Sequence, residues 1–235
     1  MNVLSVVHGS DARAEHFSGV IVDAGHVHEE WSLAWGKPPP RPIDDYDAVL
    51  VFGGAMHADE DERHPWLLEE NLLLQRLFDL HVPTLGVCLG AQLLAKAAHA
   101  PVHPASRPEI GWHEVELTDD AASDPVFSRL PERFHAFQWH YYTYGVPAGA
   151  IELARSEVCT QGFRLGDSVW GVQFHPEVTR EQIRSWLETD GFNEGVDVDR
   201  VATESDERIA EWNRLGSELC EAFLETAAAA ALSAR

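Results

Sequence analysis

The feature that most constrains this chain is the junction of a strand and a helix at Cys88. Residues 82–87, VPTLGV, form a short apolar run that is typical of a buried strand. Residues 89–98, LGAQLLAKAA, contain mostly helix-forming side chains and predict a helix that begins directly after that strand. A chain that turns from strand to helix at one residue lifts that residue's side chain out of the sheet, so we expect Cys88 to stand on a sharp elbow.

Two glycines and the following helix suit Cys88 to chemistry. Gly86 and Gly90, two residues to either side, remove the Cβ crowding that so tight a turn would create. The elbow points the thiol across the N-terminus of the helix, where unpaired N–H groups and the helix dipole favour the thiolate. A lone cysteine is more often a small buried hydrophobe. A nucleophilic Cys88 therefore needs a base elsewhere in the chain.

Composition narrows the class of protein. The 235 residues suffice for one large α/β domain, and the net charge of −22 argues against binding to nucleic-acid phosphates or to an anionic membrane surface. Cys88, Cys159 and Cys220 are widely spaced, without a C-x-x-C pair, so we predict neither a disulfide framework nor a zinc ribbon, and a cytoplasmic location. We also expect no membrane span and no export signal.

Apolar periodicity predicts the α/β class: an open, mostly parallel twisted sheet with helices on both faces, three-layered as in flavodoxin, with an antiparallel hairpin extension. Residues 1–190 are predicted to form this domain, and residues 191–235 a C-terminal helical extension packed on it. The predicted strands are 3–7, 48–52, 82–87, 112–117, 133–143, 151–156, 162–165 and 168–174; the predicted helices are 14–24, 66–80, 89–98 and a short one over 124–130; 27–35 is expected to be extended and 100–108 a loop.

The predicted strand 48–52 ends in Gly53-Gly54. Strand 48–52, helix 66–80 and strand 82–87 make a βαβ unit, which places the ends of both strands at one edge of the sheet. An N–H near Gly54 and the N–H of Leu89 can then converge on one oxygen beside the Cys88 sulfur, as an oxyanion hole requires. The glycine pair alone is weak evidence, because any tight turn uses glycine.

The base is found in the segment GVQFHPE, residues 171–177. In an extended segment residues two apart point to the same side, so we expect His175 and Glu177 to face together, with Pro176 stiffening the backbone between them. A carboxylate beside an imidazole fixes its tautomer and stabilises the imidazolium that forms when it accepts a proton from a thiol. The chain thus offers a nucleophile, a base and an orienting group.

These segments resemble the class-I, triad-type glutamine amidotransferases over about residues 49–178. Within that family the chain looks most like stand-alone members related to the guanylate-synthetase amidotransferase domain. The segments that carry the resemblance are GVCLGAQ (86–92), QFHPE (173–177), FGGA (52–55), EIGW (109–112) and QWH (138–140).

The resemblance implies a glutaminase mechanism. Cys88 would attack the γ-carboxamide of glutamine, and His175, oriented by Glu177, would protonate the departing ammonia and then activate water against the γ-glutamyl thioester. Gly54 and Leu89 would supply the oxyanion hole.

The resemblance also implies a substrate cradle. Gln92 would help to hold the glutamine, and His140, Tyr141 and Tyr142 would lie at its α-amino acid end. Relatives often have Gly and then a small or acidic residue where this chain has the two tyrosines, so the cradle is expected to be reshaped.

Three functions stay open at this level. The first is a glutaminase subunit that passes ammonia to a synthetase on another polypeptide, since the helical segment after Glu177 is too short for an acceptor domain. The second is a free-standing γ-glutamyl hydrolase or peptidase. The third is a non-catalytic ligand-binding homologue, which the intact triad disfavours. Thirteen histidines raise the question of a metal, yet neither H-E-x-x-H nor a closed Cys/His set occurs. We therefore predict no metal and no cofactor.

Overall fold

The computed structural model describes residues 1–189 and 195–233. The strands are β1 (Asn2–Val6), β2 (Val27–Trp31), β3 (Ala48–Val51), β4 (Thr84–Val87), β5 (Val102–Leu117), β6 (Arg133–Tyr144), β7 (Ala150–Arg155), β8 (Thr160–Leu165) and β9 (Val169–Val172). The helices are α1 (His16–Asp23), α2 (Trp66–Asp79), α3 (Leu89–Ala97), α4 (Arg180–Glu188) and α5 (Val198–Ser233), and 3-10 helices cover Leu33–Trp35, Ile43–Asp45, Asp119–Ser123 and Phe127–Arg129.

Within the described residues the strands form one nine-stranded sheet in the order β2-β1-β3-β4-β9-β8-β7-β5-β6. The first five of these strands are parallel, and β8, β7, β5 and β6 continue the sheet in antiparallel fashion. The predicted α/β class is therefore confirmed, although the antiparallel part is larger than the expected hairpin. Strand β9 lies beside β4, with Val172 opposite Val87, so the segments that follow these strands meet at one edge.

Helices cover both faces of the parallel strands. On one face α1 and α5 bury Phe17, Trp212 and Phe223 against the sheet, and on the other α2 and α3 bury leucines, among them Leu67 and Leu94. Strands β3 and β4 are buried along their whole length, as parallel strands covered on both sides must be. The predicted boundary between residues 190 and 191 lies outside the described residues. None of the helices described here is long and apolar enough to cross a bilayer.

Three expectations for secondary structure outside the site were wrong. Residues 100–108 are not a loop, because β5 starts at Val102 and tolerates its prolines through a register shift between Pro104 and Glu109. Residues 27–35 are extended only to Trp31, after which a 3-10 turn ends at the left-handed Gly36. The helix expected over 124–130 is a 3-10 turn over Phe127–Arg129.

Candidate functional site

Cys88 occupies a strained backbone position between β4 and α3. Its φ of 52° and ψ of −108° lie in a region that favours glycine. A Cβ at Gly86 would lie 2.6 Å from the carbonyl carbon of Gly90, and one at Gly90 would overlap the carbonyl oxygen of Val51. The N–H of Cys88 donates to the carbonyl of Val172 at 2.8 Å, which fastens the elbow to β9. The sequence prediction of an elbow is thus confirmed.

The strain at Cys88 leads to a stability prediction. We expect Cys88→Gly to be more stable than Cys88→Ala by about 1 kcal/mol, because relief of about 1–3 kcal/mol of strain outweighs the entropy cost of glycine, which is about 0.5–1 kcal/mol. For a chain of this size that is about 2–4 °C in Tm. Thermal unfolding of the two variants measures it, and a lower Tm for Cys88→Gly would show that the elbow is not strained.

His175 follows a bend after β9, and Glu177 lies in the turn that comes next. The expectation of an extended segment was therefore wrong, yet the two side chains do meet: Nδ1 of His175 lies 2.8 Å from Oε1 of Glu177, and both residues are buried. The backbone of His175 is held from both sides, since its N–H donates to the carbonyl of Phe137 at 2.9 Å and its carbonyl accepts from Nε1 of Trp212 at 2.8 Å.

The surroundings of His175 favour its charged form. Burial disfavours the imidazolium, but the charges of Glu177 and Cys88 and the hydrogen bonds with both outweigh it and raise the pKa of His175 to about 10. A Cβ at Gly53 would lie 3.1 Å from Cε1 of His175 and 3.8 Å from Cβ of Cys88, so the thiol and the imidazole flank the bare backbone of Gly53. This arrangement suits a thiolate–imidazolium pair.

Gly54 and Leu89 lie against each other beside Cys88. A Cβ at Gly54 would lie 2.9 Å from Cδ2 of Leu89 and 2.8 Å from Cβ of His8, so this position has no room for a side chain. Within residues 1–189 and 195–233, neither the N–H of Gly54 nor that of Leu89 has a hydrogen-bond acceptor. Both N–H groups can thus donate to a ligand oxygen, as the donors of an oxyanion hole must.

The predicted cradle residues form one wall of the site. Nε2 of Gln92 donates to the carbonyl of Tyr142 at 3.0 Å and lies 3.3 Å from Oε1 of Gln173. Nδ1 of His140 lies 3.0 Å from the same Tyr142 carbonyl. Nε2 of Gln173 in turn lies 3.6 Å from the Cys88 sulfur. Gln92 and His140 therefore brace the backbone of this wall.

Behind this wall a hydrogen-bond hub surrounds Glu109. Its Oε2 lies 3.1 Å from Nε2 of His140 and accepts from Gln161 at 2.8 Å and from Ser156 at 3.1 Å. Burial opposes a charge on Glu109, but the hydrogen bond and charge of His140 lower the pKa of its carboxyl. In the described chain, Glu109, His140 and Cys159 are the group whose metal-ligating atoms lie within 4.8 Å of one another. Burial raises the pKa of Cys159 to about 12, so its thiol is a protonated donor in this hub.

A cavity of about 530 Å³ brings the predicted residues together. Tyr141 is 37% exposed at the cavity, and the Tyr142 ring stacks on His57 with centroids 4.0 Å apart. Glu177 lies behind His175. The lining contains eight predicted residues, Gly54, Cys88, Leu89, Gln92, His140, Tyr141, Tyr142 and His175, and others that sequence reasoning did not assign, among them Asp11, Met56, His57, Trp139 and Trp186.

Sequence reasoning missed two kinds of contributor to this site. Gln173 stands inside the QFHPE motif, so its position two residues before His175 was a usable signal. Trp139 and Trp186 reach the cavity from β6 and α4, and Trp186 packs edge-on against His175 with centroids 5.0 Å apart. Trp139 stands inside the QWH segment, so its position was a usable signal. No local pattern marks Trp186, because the tertiary fold alone brings α4 to the site.

Comparisons with known proteins show what this chain is similar to. The family model described as "Glutamine amidotransferase class-I" matches residues 27–193. A glutamine amidotransferase-like protein of Salmonella typhimurium, YfeJ, is 29% identical over 80% of each chain. One subunit of a glutamine-hydrolysing GMP synthase from Thermococcus kodakarensis is 34% identical over 69% of this chain and 90% of its own length. The crystal structure of a glutamine amidotransferase from Thermotoga maritima superposes with a TM-score of 0.88 at 28% identity, covering 96% of this chain and 98% of the other.

Proposed function

Because the chain belongs to the class-I glutamine amidotransferase family, we propose that Cys88, His175 and Glu177 are the catalytic triad with which it hydrolyses glutamine to glutamate and ammonia. The observation that carries the assignment is the geometry around Gly53. The Cys88 thiol and the His175 imidazole flank this residue, and His175 is bonded to Glu177 at 2.8 Å. Each of the three side chains is buried in a cavity wall or directly behind it.

The first half of the reaction forms a thioester. The Cys88 thiolate attacks the γ-carbonyl carbon of glutamine, and the carbonyl electron pair moves onto its oxygen, where the N–H groups of Gly54 and Leu89 stabilise it. When the tetrahedral species collapses, the carbon–nitrogen bond breaks and the nitrogen takes a proton from the His175 imidazolium. Ammonia leaves, and the γ-glutamyl group stays on sulfur.

The second half hydrolyses the thioester. His175, now neutral, accepts a proton from a water molecule as its oxygen attacks the same carbon, and the carbon–sulfur bond breaks to return the thiolate and release glutamate. Glu177 bonds Nδ1 throughout, so Nε2 faces the reacting atoms in both halves.

The α-amino acid end of glutamine is assigned to the wall that Gln92 and His140 brace. Their polar atoms bond the Tyr142 carbonyl, so their proposed role is to shape this wall, while the rings of Tyr141 and Tyr142 form its surface. The stacking of Tyr142 on His57 ties this wall to the segment that follows Gly54.

The proposed partner is an ammonia-accepting synthetase on another polypeptide. The proposed location of both proteins is the cytoplasm, where Cys88 stays reduced. What supports it is the relative from Thermococcus kodakarensis, which is by its name one subunit of a glutamine-hydrolysing synthase. As a subunit of this kind, the chain is expected to hydrolyse glutamine slowly until its partner binds.

Substrate selectivity tests the proposal. The purified protein would be assayed for glutamate release from glutamine, from γ-glutamyl alkylamides and from γ-glutamyl dipeptides, with Cys88→Ala as the blank. We expect Cys88-dependent hydrolysis with glutamine as the preferred substrate. Faster Cys88-dependent cleavage of a γ-glutamyl amide or peptide than of glutamine would contradict the proposal.

A further inference from the structure

Besides the pairs His175–Glu177 and His140–Glu109, a third histidine and carboxylate are buried beside the Gly53-Gly54 segment. His8 follows β1 and is 8% exposed, and Glu70 of α2 is fully buried. Nε2 of His8 lies 3.0 Å from both carboxylate oxygens of Glu70. Nδ1 of His8 lies 3.0 Å from the carbonyl oxygens of both Phe52 and Gly53.

The polar partners of the His8 ring are two backbone carbonyls and a carboxyl group. The carbonyl oxygens of Phe52 and Gly53 can only accept, so Nδ1 carries a proton. With Glu70 ionised, Nε2 carries one as well and His8 is an imidazolium paired with that carboxylate. Burial opposes this charge, but the charge and hydrogen bond of Glu70 and the two carbonyl bonds raise the pKa of His8. Trp66, one turn before Glu70 on α2, stacks on the ring with centroids 5.7 Å apart. Helix α2 thus contacts the His8 ring twice, with the Glu70 carboxylate at its edge and the Trp66 ring on its face.

The bond to the Gly53 carbonyl has a consequence for Gly54. The carbonyl of Gly53 and the N–H of Gly54 belong to one planar trans peptide, so they point in opposite directions. When His8 holds that carbonyl, the N–H of Gly54 must point away from His8. Two successive glycines cannot hold one orientation by themselves, because their backbone dihedrals are the least restricted of any residue. An external group has to hold this peptide.

We propose that His8, held by Glu70, is a positioning residue that fixes the Gly53–Gly54 peptide and so aims the N–H of Gly54 at the substrate oxygen. The inference rests on the proposed function, because it assigns that N–H to the oxyanion of glutamine hydrolysis. His8 touches no reacting atom and acts through the peptide alone.

Two replacements of His8 separate its two bonds. The amide nitrogen of His8→Asn occupies the place of Nδ1 and keeps a donor for the carbonyls, but loses Glu70. The amide nitrogen of His8→Gln occupies the place of Nε2 and keeps Glu70, but loses the carbonyl donor. We expect kcat for glutamine to fall about 10²-fold in His8→Gln, as when one oxyanion donor is lost, and less than about tenfold in His8→Asn, with KM little changed in both.

The rate at which iodoacetamide alkylates Cys88 distinguishes a misplaced oxyanion donor from a general loss of structure, because a loss of structure would change that rate. This displacement forms no oxyanion, so we expect His8→Gln to be alkylated within about threefold of the wild-type rate while its glutamine hydrolysis is lost. His28→Gln is the control, because His28 is a partly buried imidazole that bonds Ser5 and Ser18 at 2.8 and 3.1 Å, outside the cavity lining. We expect it to hydrolyse glutamine like wild type.

Crystal structures of the wild type and His8→Gln decide the proposal independently of turnover. A Gly53 carbonyl that turns away from position 8 in His8→Gln supports it. An unmoved carbonyl, equal hydrolysis in His8→Gln and wild type, or His8→Asn less active than His8→Gln would overturn it. A wild-type protein that is alkylated at Cys88 but hydrolyses no glutamine would refute the proposed function, and the structures would still test His8.

Discussion

Replacement of Cys88 by alanine is expected to lower the rate of ammonia release from glutamine by at least about 10⁴-fold, to the blank rate. The thioester needs a thiolate at the elbow, and neither His175 nor water can replace it there. The fold is expected to persist, because the elbow backbone is held by the Val172 carbonyl and by the glycines around it and not by the thiol. Ammonia release and far-ultraviolet circular dichroism measure the two effects.

Cys220→Ala is the matched control for this loss. Cys220 is also a buried thiol, and burial raises its pKa, but it lies in α5 outside the cavity lining. We expect this variant to keep wild-type turnover. Activity retained in Cys88→Ala, or lost in a folded Cys220→Ala, would contradict the assignment of the nucleophile.

Glu177→Gln is expected to lower kcat for glutamine by about 10²- to 10³-fold and to move the alkaline limit of activity to lower pH. Burial lowers the pKa of His175, and the charge of Glu177 is the leading influence that raises it to about 10. Without that charge, His175 loses its proton at lower pH and can no longer protonate the departing ammonia. The pH dependence of kcat/KM for wild type and variant measures the displacement.

The ion pair of His175 with Glu177 contributes to the stability of the fold in a defined pH range. The pKa of His175 is raised from 6.5 to about 10, so its stabilisation is complete below about pH 6.5 and is lost as the pH rises through about 10. Urea unfolding of wild type is expected to show this decline in the free energy of unfolding, and Glu177→Gln to show a weaker one.

Glu181→Gln, which removes an exposed carboxylate from the first turn of α4, is the control for both experiments and is expected to keep the wild-type pH dependence of kcat/KM and of stability. An unchanged alkaline limit in Glu177→Gln would contradict the role of Glu177.

Local rules predicted the elbow because its determinants are local. A strand, a helix and two glycines within a few residues of Cys88 leave few conformations open, and the structure has the expected one. The meeting of His175 and Glu177 was also predicted, but from the wrong backbone. In the structure the segment bends after β9 and turns at Pro176 and Glu177, so the side chains meet without the alternation of a strand. The spacing of two residues was sufficient to predict that the side chains meet, even though the predicted backbone conformation was wrong.

Features made by distant residues escaped prediction. His8 and Glu70 are 62 positions apart, and neither belongs to a motif, so nothing in the sequence pairs them. The length of β5 was missed because prolines in residues 102–108 argue against a strand, whereas pairing with β6 across a register shift overrides that local preference. In both cases tertiary contacts decide what single-residue preferences cannot.

The most direct test of the central claim is to look for the thioester. Wild-type protein mixed with glutamine, quenched in acid during turnover and digested, would be examined by mass spectrometry. We predict that one γ-glutamyl group is attached to the peptide that contains Cys88, and that Cys88→Ala carries none. Turnover of glutamine without this adduct, or a glutamyl group on any other residue, would contradict the mechanism.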